Sequence, residues 1–349
     1  MSLKLGILGA TGKVGGELLK LLEQWSPSEL DLAEPPRLFG TSRSAGKKIK
    51  FNSVKFPNTE ITVQDSQPEN LKGLDVLISC ANGEVSEKLT PEAIRLGVKL
   101  VVDTDSFYRM DPEVPLVTVG ANDEDIDWHK GIIAGPNCST AQLIIPLKVL
   151  NDAFGIKRVV VNTYQSVSGA GKAAMDELMS QSKRVQESYE QSAGLQQIRV
   201  AEDQFAFNVI PKISKFLDNG YTKEEWKVIT ESRKMLHSPE LKITCTAVRV
   251  PVLVGHSESI NIEFLSSFNL NQVISVLKSS PEIQVWDHPE MYPMPVDAAG
   301  TNPIHVGRIR IDESAPNAIN IWVVADNLLI GAALNAIRLV VKASERGKI

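Results

Sequence analysis

The sequence predicts two α/β domains of different kinds. A doubly wound, Rossmann-like parallel sheet comes first, and a second α+β domain with a mostly antiparallel or mixed sheet follows. Three observations predict this. Gly9-x-x-Gly12-x-x-Gly15 closes the first strand-like run and opens a helical pattern, which is where a dinucleotide turn belongs. Strand and helix patterns then alternate as far as Ala134, as right-handed βαβ units do. Past Cys138 the texture shifts to long runs of alternating polarity, the signature of strands with one packed and one solvated or partnered face.

The elements follow in order. Leu3 to Leu8 reads as a buried parallel strand, and Glu17 to Trp25 has helical spacing through Leu18, Leu19, Leu21 and Leu22. Ser26 to Pro36 carries three prolines and reads as a loop insertion. Further strands are expected at Arg37–Thr41, Asp75–Ser79, Lys99–Val102, Leu116–Val119 and Gly131–Ala134, with a helix over Glu87–Leu96. In the second half the alternating runs are Arg158–Val167, Leu241–Val250, Ser259–Phe264, Ile304–Arg310 and Ala318–Ala325. Helices are expected over Ala141–Asn151, Lys172–Gln191, Lys223–Leu236, Leu270–Lys278 and Leu328–Ser344. The domains are drawn as 1–136 plus 327–349 for the nucleotide and 137–326 for catalysis and dimerisation.

Composition narrows the function. At 349 residues two domains are the default. A net charge of −5 lacks the basic footprint of a nucleic-acid binder. No apolar run approaches a membrane span, and the chain enters a strand pattern at once, leaving no room for a signal peptide. Cys80, Cys138 and Cys245 lie far apart with no CxxC, which fits a reducing cytosol and argues against a metal cluster. A cytoplasmic enzyme without metal is expected.

The glycines of Gly9-Ala10-Thr11-Gly12-Lys13-Val14-Gly15 permit a tight turn and close approach of backbone to a pyrophosphate. After the second strand an acidic residue would hold the ribose of NAD; the chain instead reads Thr41-Ser42-Arg43-Ser44-Ala45-Gly46-Lys47, which suits a 2′-phosphate, so NADP(H) is the expected cofactor. Cys138 stands at Gly135-Pro136-Asn137-Cys138-Ser139-Thr140, where a strand-like run meets a helix-like one. Unpaired N–H groups and the helix dipole there favour a thiolate. Of five histidines, His256 in Arg249-Val250-Pro251 through Gly255-His256-Ser257-Glu258 is the best acid–base partner, because the intervening glycine turn lets Arg249 and His256 face one cleft. Gln165 and the loop Ser166-Val167-Ser168-Gly169-Ala170-Gly171 follow a long strand and can bring donors to the same place.

Taken together, these stretches resemble the aspartate-β-semialdehyde dehydrogenase family along nearly the whole chain, with Glu224-Glu225-Trp226-Lys227 and Asp326-Asn327-Leu328 as further matches. The resemblance implies Cys138 as nucleophile, His256 as acid–base group, and Asn137 and Gln165 as positioners of the intermediate. It implies Arg249 and Glu224 at the carboxylate and amino ends of the substrate, and Arg109 and Lys227 at its phosphate. By the same resemblance, Asn327 and the Ser168-Gly169 loop are expected to approach the nicotinamide. The implied reaction is NADPH-dependent reduction of aspartyl phosphate through a cysteine thioester, serving lysine, methionine, threonine and diaminopimelate biosynthesis, in a homodimer or a dimer of dimers. A dianionic acyl phosphate with a second carboxylate needs several cations, and arginine offers a bidentate fork. Two rival readings are an N-acetyl-glutamyl-phosphate reductase-like enzyme and a non-catalytic NADP-binding protein of the same fold. Leu329 and Ile330 stand where the family usually has basic residues.

Overall fold

The computed structural model describes residues 2–26, 28–191, 198–288 and 290–349. It divides into two compact units, residues 1–137, 234–237 and 329–349, and residues 138–233 and 238–328. The divisions at 137/138 and 328/329 stand beside the 136/137 and 326/327 drawn from the sequence, and Asn327 groups with the second unit.

The first unit holds β1 (Leu5–Leu8), α1 (Lys13–Gln24), β2 (Arg37–Gly40), β3 (Lys48–Phe51), β4 (Thr59–Thr62), β5 (Gln64–Asp65), β6 (Val76–Ser79), α2 (Gly83–Arg95), β7 (Leu100–Asp103) and β8 (Ile132–Ala134). Its six-stranded sheet runs β5-β2-β1-β6-β7-β8 with every pairing parallel. Strands buried on both faces read as unbroken apolar runs, which is why LGIL, VLIS and LVVD were visible in sequence. The apolar stripe of α1, Leu18, Leu19 and Leu22, closes one face. At Gly9 the turn needs φ +81°, and a Cβ there would stand 2.7 Å from the Cys80 carbonyl oxygen. At Gly15 a Cβ would stand 2.5 Å from the Gly9 carbonyl oxygen, so α1 reaches the strand only with glycine there.

One expectation changes, and one element is new. Leu116–Val119 makes a single bridge, Leu116 to Ala134, rather than a strand. Side chains take its ladder groups: Asn122 bonds the Leu116 carbonyl and the Thr118 N–H, and Asn335 bonds the Val117 carbonyl and the Val119 N–H. The β3–β4 hairpin, short and carrying Lys48, Lys50 and Glu60 among its eight strand residues, has no counterpart in the sequence reading. Of the proline-bearing segment, Pro27 lies outside the described residues, and the rest makes one parallel bridge, Leu3 to Leu32.

The second unit holds α3 (Cys138–Phe154), β9 (Ile156–Gln165), α4 (Lys172–Gln191), most of α5 (Lys223–Met235), β10 (Lys242–Arg249), β11 (His256–Phe264), α6 (Leu270–Lys278), β12 (Ile283–Trp286), the single turn α7 (Pro295–Ala298), β13 (Ile304–Ile311) and β14 (Ala318–Ala325). Its mixed sheet runs β10-β9-β11-β14-β13-β12. The inner faces of β9, β11 and β14 bury Val159, Val161, Ile260, Ile262, Ile319, Ile321 and Val323, and α3 packs against those three strands. The chain ends in the first unit with a π-helical turn, Leu329–Ala333, and α8 (Leu334–Glu345), where a single helix from Leu328 was expected.

Candidate active site

Cys138 is the first residue of α3, three residues ahead of the expected start. The partial positive charge of this long helix's N-terminus falls at that end. Cys138 Sγ stands 3.3 Å from His256 Nε2. His256 is the first residue of β11 and fully buried. Its Nδ1 accepts from the Ser166 N–H at 3.1 Å, so the ring carries its proton on Nε2, facing the sulfur. Burial, then the Arg249 charge, pulls His256 down to about 3. The imidazole is therefore neutral at pH 7, and it presents an N–H rather than a charge to the thiol. The other two thiols are held neutral: burial pushes Cys80 up to about 12 and Cys245 higher still.

Sheet register assembles the rest. Arg249 of β10 pairs with Gln165 of β9. The β11–β9 register, with Ser257 against Tyr164, puts His256 beside Gln165 on the other side. Arg249, Gln165 and His256 thus form one row across three strands, beside the start of α3. Gln165 Nε2 donates to Ser139 Oγ at 2.7 Å and to Thr163 Oγ1 at 3.3 Å. Arg249 Nη1 donates to the Ser166 carbonyl at 2.6 Å. Burial lowers the Arg249 guanidinium, while the charges of Cys138 and Glu224 act the other way. Glu224, in the first turn of α5, is buried and lies 3.5 Å from Lys227 one turn on. An ideal Cβ on Gly169 would lie 3.4 Å from both Arg249 Nη1 and His256 Nε2, so the Ser166–Gly171 loop runs directly over the pair.

Asn327 sits behind this loop. Its Oδ1 accepts from Ser166 Oγ, Ser168 Oγ and Gly255 N–H at 3.0–3.1 Å. Its Nδ2 is buried without a hydrogen-bond partner among the described residues, a donor left for a ligand.

In the first unit a cleft of about 520 Å³ is lined by Gly9, Thr11, Gly12, Thr41, Arg43 and Ser44, among others. Thr11 Oγ1 donates to Ser44 Oγ at 3.2 Å, joining the glycine turn to the end of β2. Ala10 is buried beneath the turn, Lys13 pairs with Glu17 at 2.9 Å, and neither Val14 nor Ser42 lines the cleft. Lys47, Ser66 and Asn82 line it too. Sequence reading did not select these three, although Lys47 lies in the same basic turn as Arg43. Asn137 is buried, immediately before Cys138. Arg109 is buried and donates to the Thr104 carbonyl at 2.9 Å. Its loop is held by Lys234, whose ammonium donates to the carbonyls of Arg109, Asp111 and Val114 at 2.7–2.8 Å. Lys234 was not anticipated, nor were Ser139, Thr163 and Ser166 as partners of the site. Only tertiary register brings those three to it. Among the described residues no group of three or more His, Cys, Asp or Glu gathers as a metal site, and no helix is long and apolar enough to cross a membrane.

Comparison with known proteins agrees along the whole chain. The family models described as semialdehyde dehydrogenase, NAD binding domain and semialdehyde dehydrogenase, dimerisation domain match residues 4–129 and 147–330. The chain is 42% identical to the aspartate-semialdehyde dehydrogenase of Bacillus subtilis, covering 97% of this chain and 96% of that one. A crystal structure of aspartate semialdehyde dehydrogenase II from Vibrio cholerae, complexed with ASA, superposes with a TM-score of 0.90 at 37% identity over 99% of both chains. An aspartate semialdehyde dehydrogenase structure with NADP from Candida albicans superposes with a TM-score of 0.76 at 26% identity over 100% of both. With both family models matched and near-complete coverage at this identity, the chain belongs to the aspartate-semialdehyde dehydrogenase family of oxidoreductases.

Proposed function

We propose that the enzyme reduces L-aspartyl-4-phosphate to L-aspartate-4-semialdehyde and phosphate through a thioester on Cys138, and prefers NADPH. The observation that carries this reading is the 3.3 Å approach of the Cys138 sulfur to a buried neutral imidazole at a helix N-terminus, beside a buried arginine.

The chemistry follows from the residues. The Cys138 thiolate attacks the acyl carbon; the bond from that carbon to the phosphate oxygen breaks, and phosphate leaves. Arg109 and Lys227 are the cations for that phosphate. Arg249 takes the substrate carboxylate with the guanidinium edge that Ser166 does not use, and Glu224 takes the ammonium. NADPH, when bound, supplies the hydride. N–H groups at the start of α3 hold the oxyanion that develops at the former carbonyl. When the carbon–sulfur bond breaks, the electron pair returns to sulfur, and the His256 Nε2–H steadies the departing thiolate. Gln165, fixed on Ser139 and Thr163, keeps the acyl group in line with Asn137.

The cofactor fits the residues present. The glycine turn lines a cleft with room for a pyrophosphate, Arg43 and Lys47 line the same cleft and offer cations to a 2′-phosphate, and the unpartnered Asn327 Nδ2 suits a nicotinamide carboxamide. The outward face of the second sheet, where the Tyr164 and Trp322 rings meet at a tilt with centroids 5.5 Å apart, is the surface proposed for a homodimer.

The test is phosphate-dependent reduction of NADP⁺ by aspartate semialdehyde, with and without iodoacetamide, and with N-acetylglutamate semialdehyde as comparison. Activity that survives complete alkylation of Cys138 sinks the covalent route.

A further inference from the structure

Glu258 belongs to a motif singled out in the sequence, yet the reaction above gives it no task. It lies two residues beyond His256 on the same inner face of β11, fully buried. The register places Thr163 of β9 on one side and Val323 of β14 on the other. Among the described residues neither carboxyl oxygen has a hydrogen-bond partner, and the same is true of the buried Oε1 of Gln142. Gln142 is nevertheless the side chain that meets Glu258, in a contact that draws its carboxyl down while burial, the larger effect, pushes it up. A buried carboxyl and a buried amide oxygen, each without a donor, are relieved together if the carboxyl carries a proton. One proton on Glu258 satisfies both: its O–H donates to Gln142 Oε1.

The surroundings favour that form. Cys245 of β10 lies within electrostatic reach of Glu258 and also of Glu224 and Glu225 of α5, so an ionised Glu258 would add negative charge to an already acidic neighbourhood. Burial pushes the Glu258 carboxyl well above the ordinary carboxylate range. Gln142 in turn matters to the site. It stands one turn after Cys138 on α3, on the same helix face, and its Nε2 donates to the His256 carbonyl at 3.4 Å.

We propose that Glu258 works as a neutral carboxylic acid and as a positioning residue: its O–H orients Gln142, and Gln142 ties the first turns of α3 to the main chain of His256, setting the approach of sulfur to imidazole. The proposal rests on the assignment of Cys138 and His256 above. Its test is chosen so that the two fail separately, since it reads thiol reactivity and protonation rather than turnover.

Full-length wild type, Glu258→Gln and Glu258→Met are compared by the rate of iodoacetamide labelling at Cys138 against pH, followed by peptide mass spectrometry. Glutamine keeps a donor for Gln142 and should label within about twofold of wild type, whereas methionine should shift the profile and slow labelling about fivefold, the scale of one lost neutral hydrogen bond. Infrared difference spectra of wild type minus Glu258→Gln should show the carbonyl stretch of a protonated carboxyl that persists through neutral pH. Should Glu258→Met not fold, Gln142→Met reads the same link from its other end. A labelling profile unchanged in the folded methionine variants overturns the positioning role. Carboxylate bands in wild type, or glutamine behaving like methionine, overturn the neutral acid.

Discussion

Replacing Arg249 with lysine separates geometry from charge at the proposed carboxylate site. Arg249 is buried, and one of its terminal nitrogens is committed to the Ser166 carbonyl at 2.6 Å. That anchor orients the remaining N–H groups as a fork. Lysine keeps the positive charge but is a point donor, so it cannot hold the loop carbonyl and both oxygens of a carboxylate in the same plane. One charge-assisted hydrogen bond is worth about 1.5–3 kcal/mol, and about 1.4 kcal/mol is a factor of ten. Arg249→Lys should therefore lose roughly 10- to 150-fold in kcat/KM for aspartate semialdehyde, concentrated in KM, with KM for NADP⁺ unchanged. Arg249→Met is the complementary variant. The guanidinium charge is the second cause, after burial, of the depressed His256 basicity, so removing it should raise the imidazole toward its ordinary value and move the acid limb of the pH profile upward. The assay is steady-state kinetics with each reactant varied in turn, over a pH series. If Arg249→Lys leaves KM for the aldehyde unchanged, or if the loss falls on the nucleotide, Arg249 does not hold the carboxylate.

Other outcomes are equally specific. Cys138→Ala should abolish turnover while fluorescence titration still detects NADPH; near-native activity would rule out covalent catalysis. Because His256 is held near 3 in the fold against about 6.5 unfolded, the unfolded chain binds more protons between those values. Its contribution to stability is complete above about pH 6.5 and lost as pH falls through that window. Thermal melts of His256→Gln should accordingly show a shallower loss between about pH 6 and pH 4 than wild type, and equal slopes would contradict the buried neutral ring. Gly15→Ala forces a Cβ to within 2.5 Å of the Gly9 carbonyl oxygen. Overpacking of this kind costs about 1–3 kcal/mol, so calorimetry should find a lower Tm together with weaker NADPH binding; an unchanged Tm would show that the turn yields freely. Arg43→Ala with Lys47→Ala should raise KM for NADP⁺ by up to about 30-fold while leaving NAD⁺ unaffected, since exposed cations contribute at most about 1 kcal/mol each. A parallel loss with NAD⁺ would mean that these residues do not read the 2′-phosphate.

Much of this protein could be read directly from its chain, for local reasons. The βα turn announces itself because Gly9 needs positive φ and Gly15 has no room for a side chain. The parallel strands show as apolar runs because both of their faces are covered. Cys138 stood out because a turn residue, a proline and a helical pattern meet at it. Where these local signals were missing, the reading faltered. Leu116–Val119 looks like a strand until Asn122 and Asn335, the latter more than 200 residues on, take its backbone groups. The hairpin of β3 and β4 is too short and charged to stand out from a loop.

What the sequence determined by itself was which chemical groups are available and the order of sheet and helix, because periodicity and turn chemistry act within a few residues. What only the tertiary structure decided was how those groups are used. Strand register set Arg249, Gln165 and His256 in one row. The Ser166 N–H chose the tautomer that turns the imidazole proton toward sulfur. Complete burial pulls the His256 imidazole down and pushes the Glu258 carboxyl up. Protonation state and tautomer depend on solvent exclusion and on partners distant in the chain, and neither exists until the sheet has closed over them.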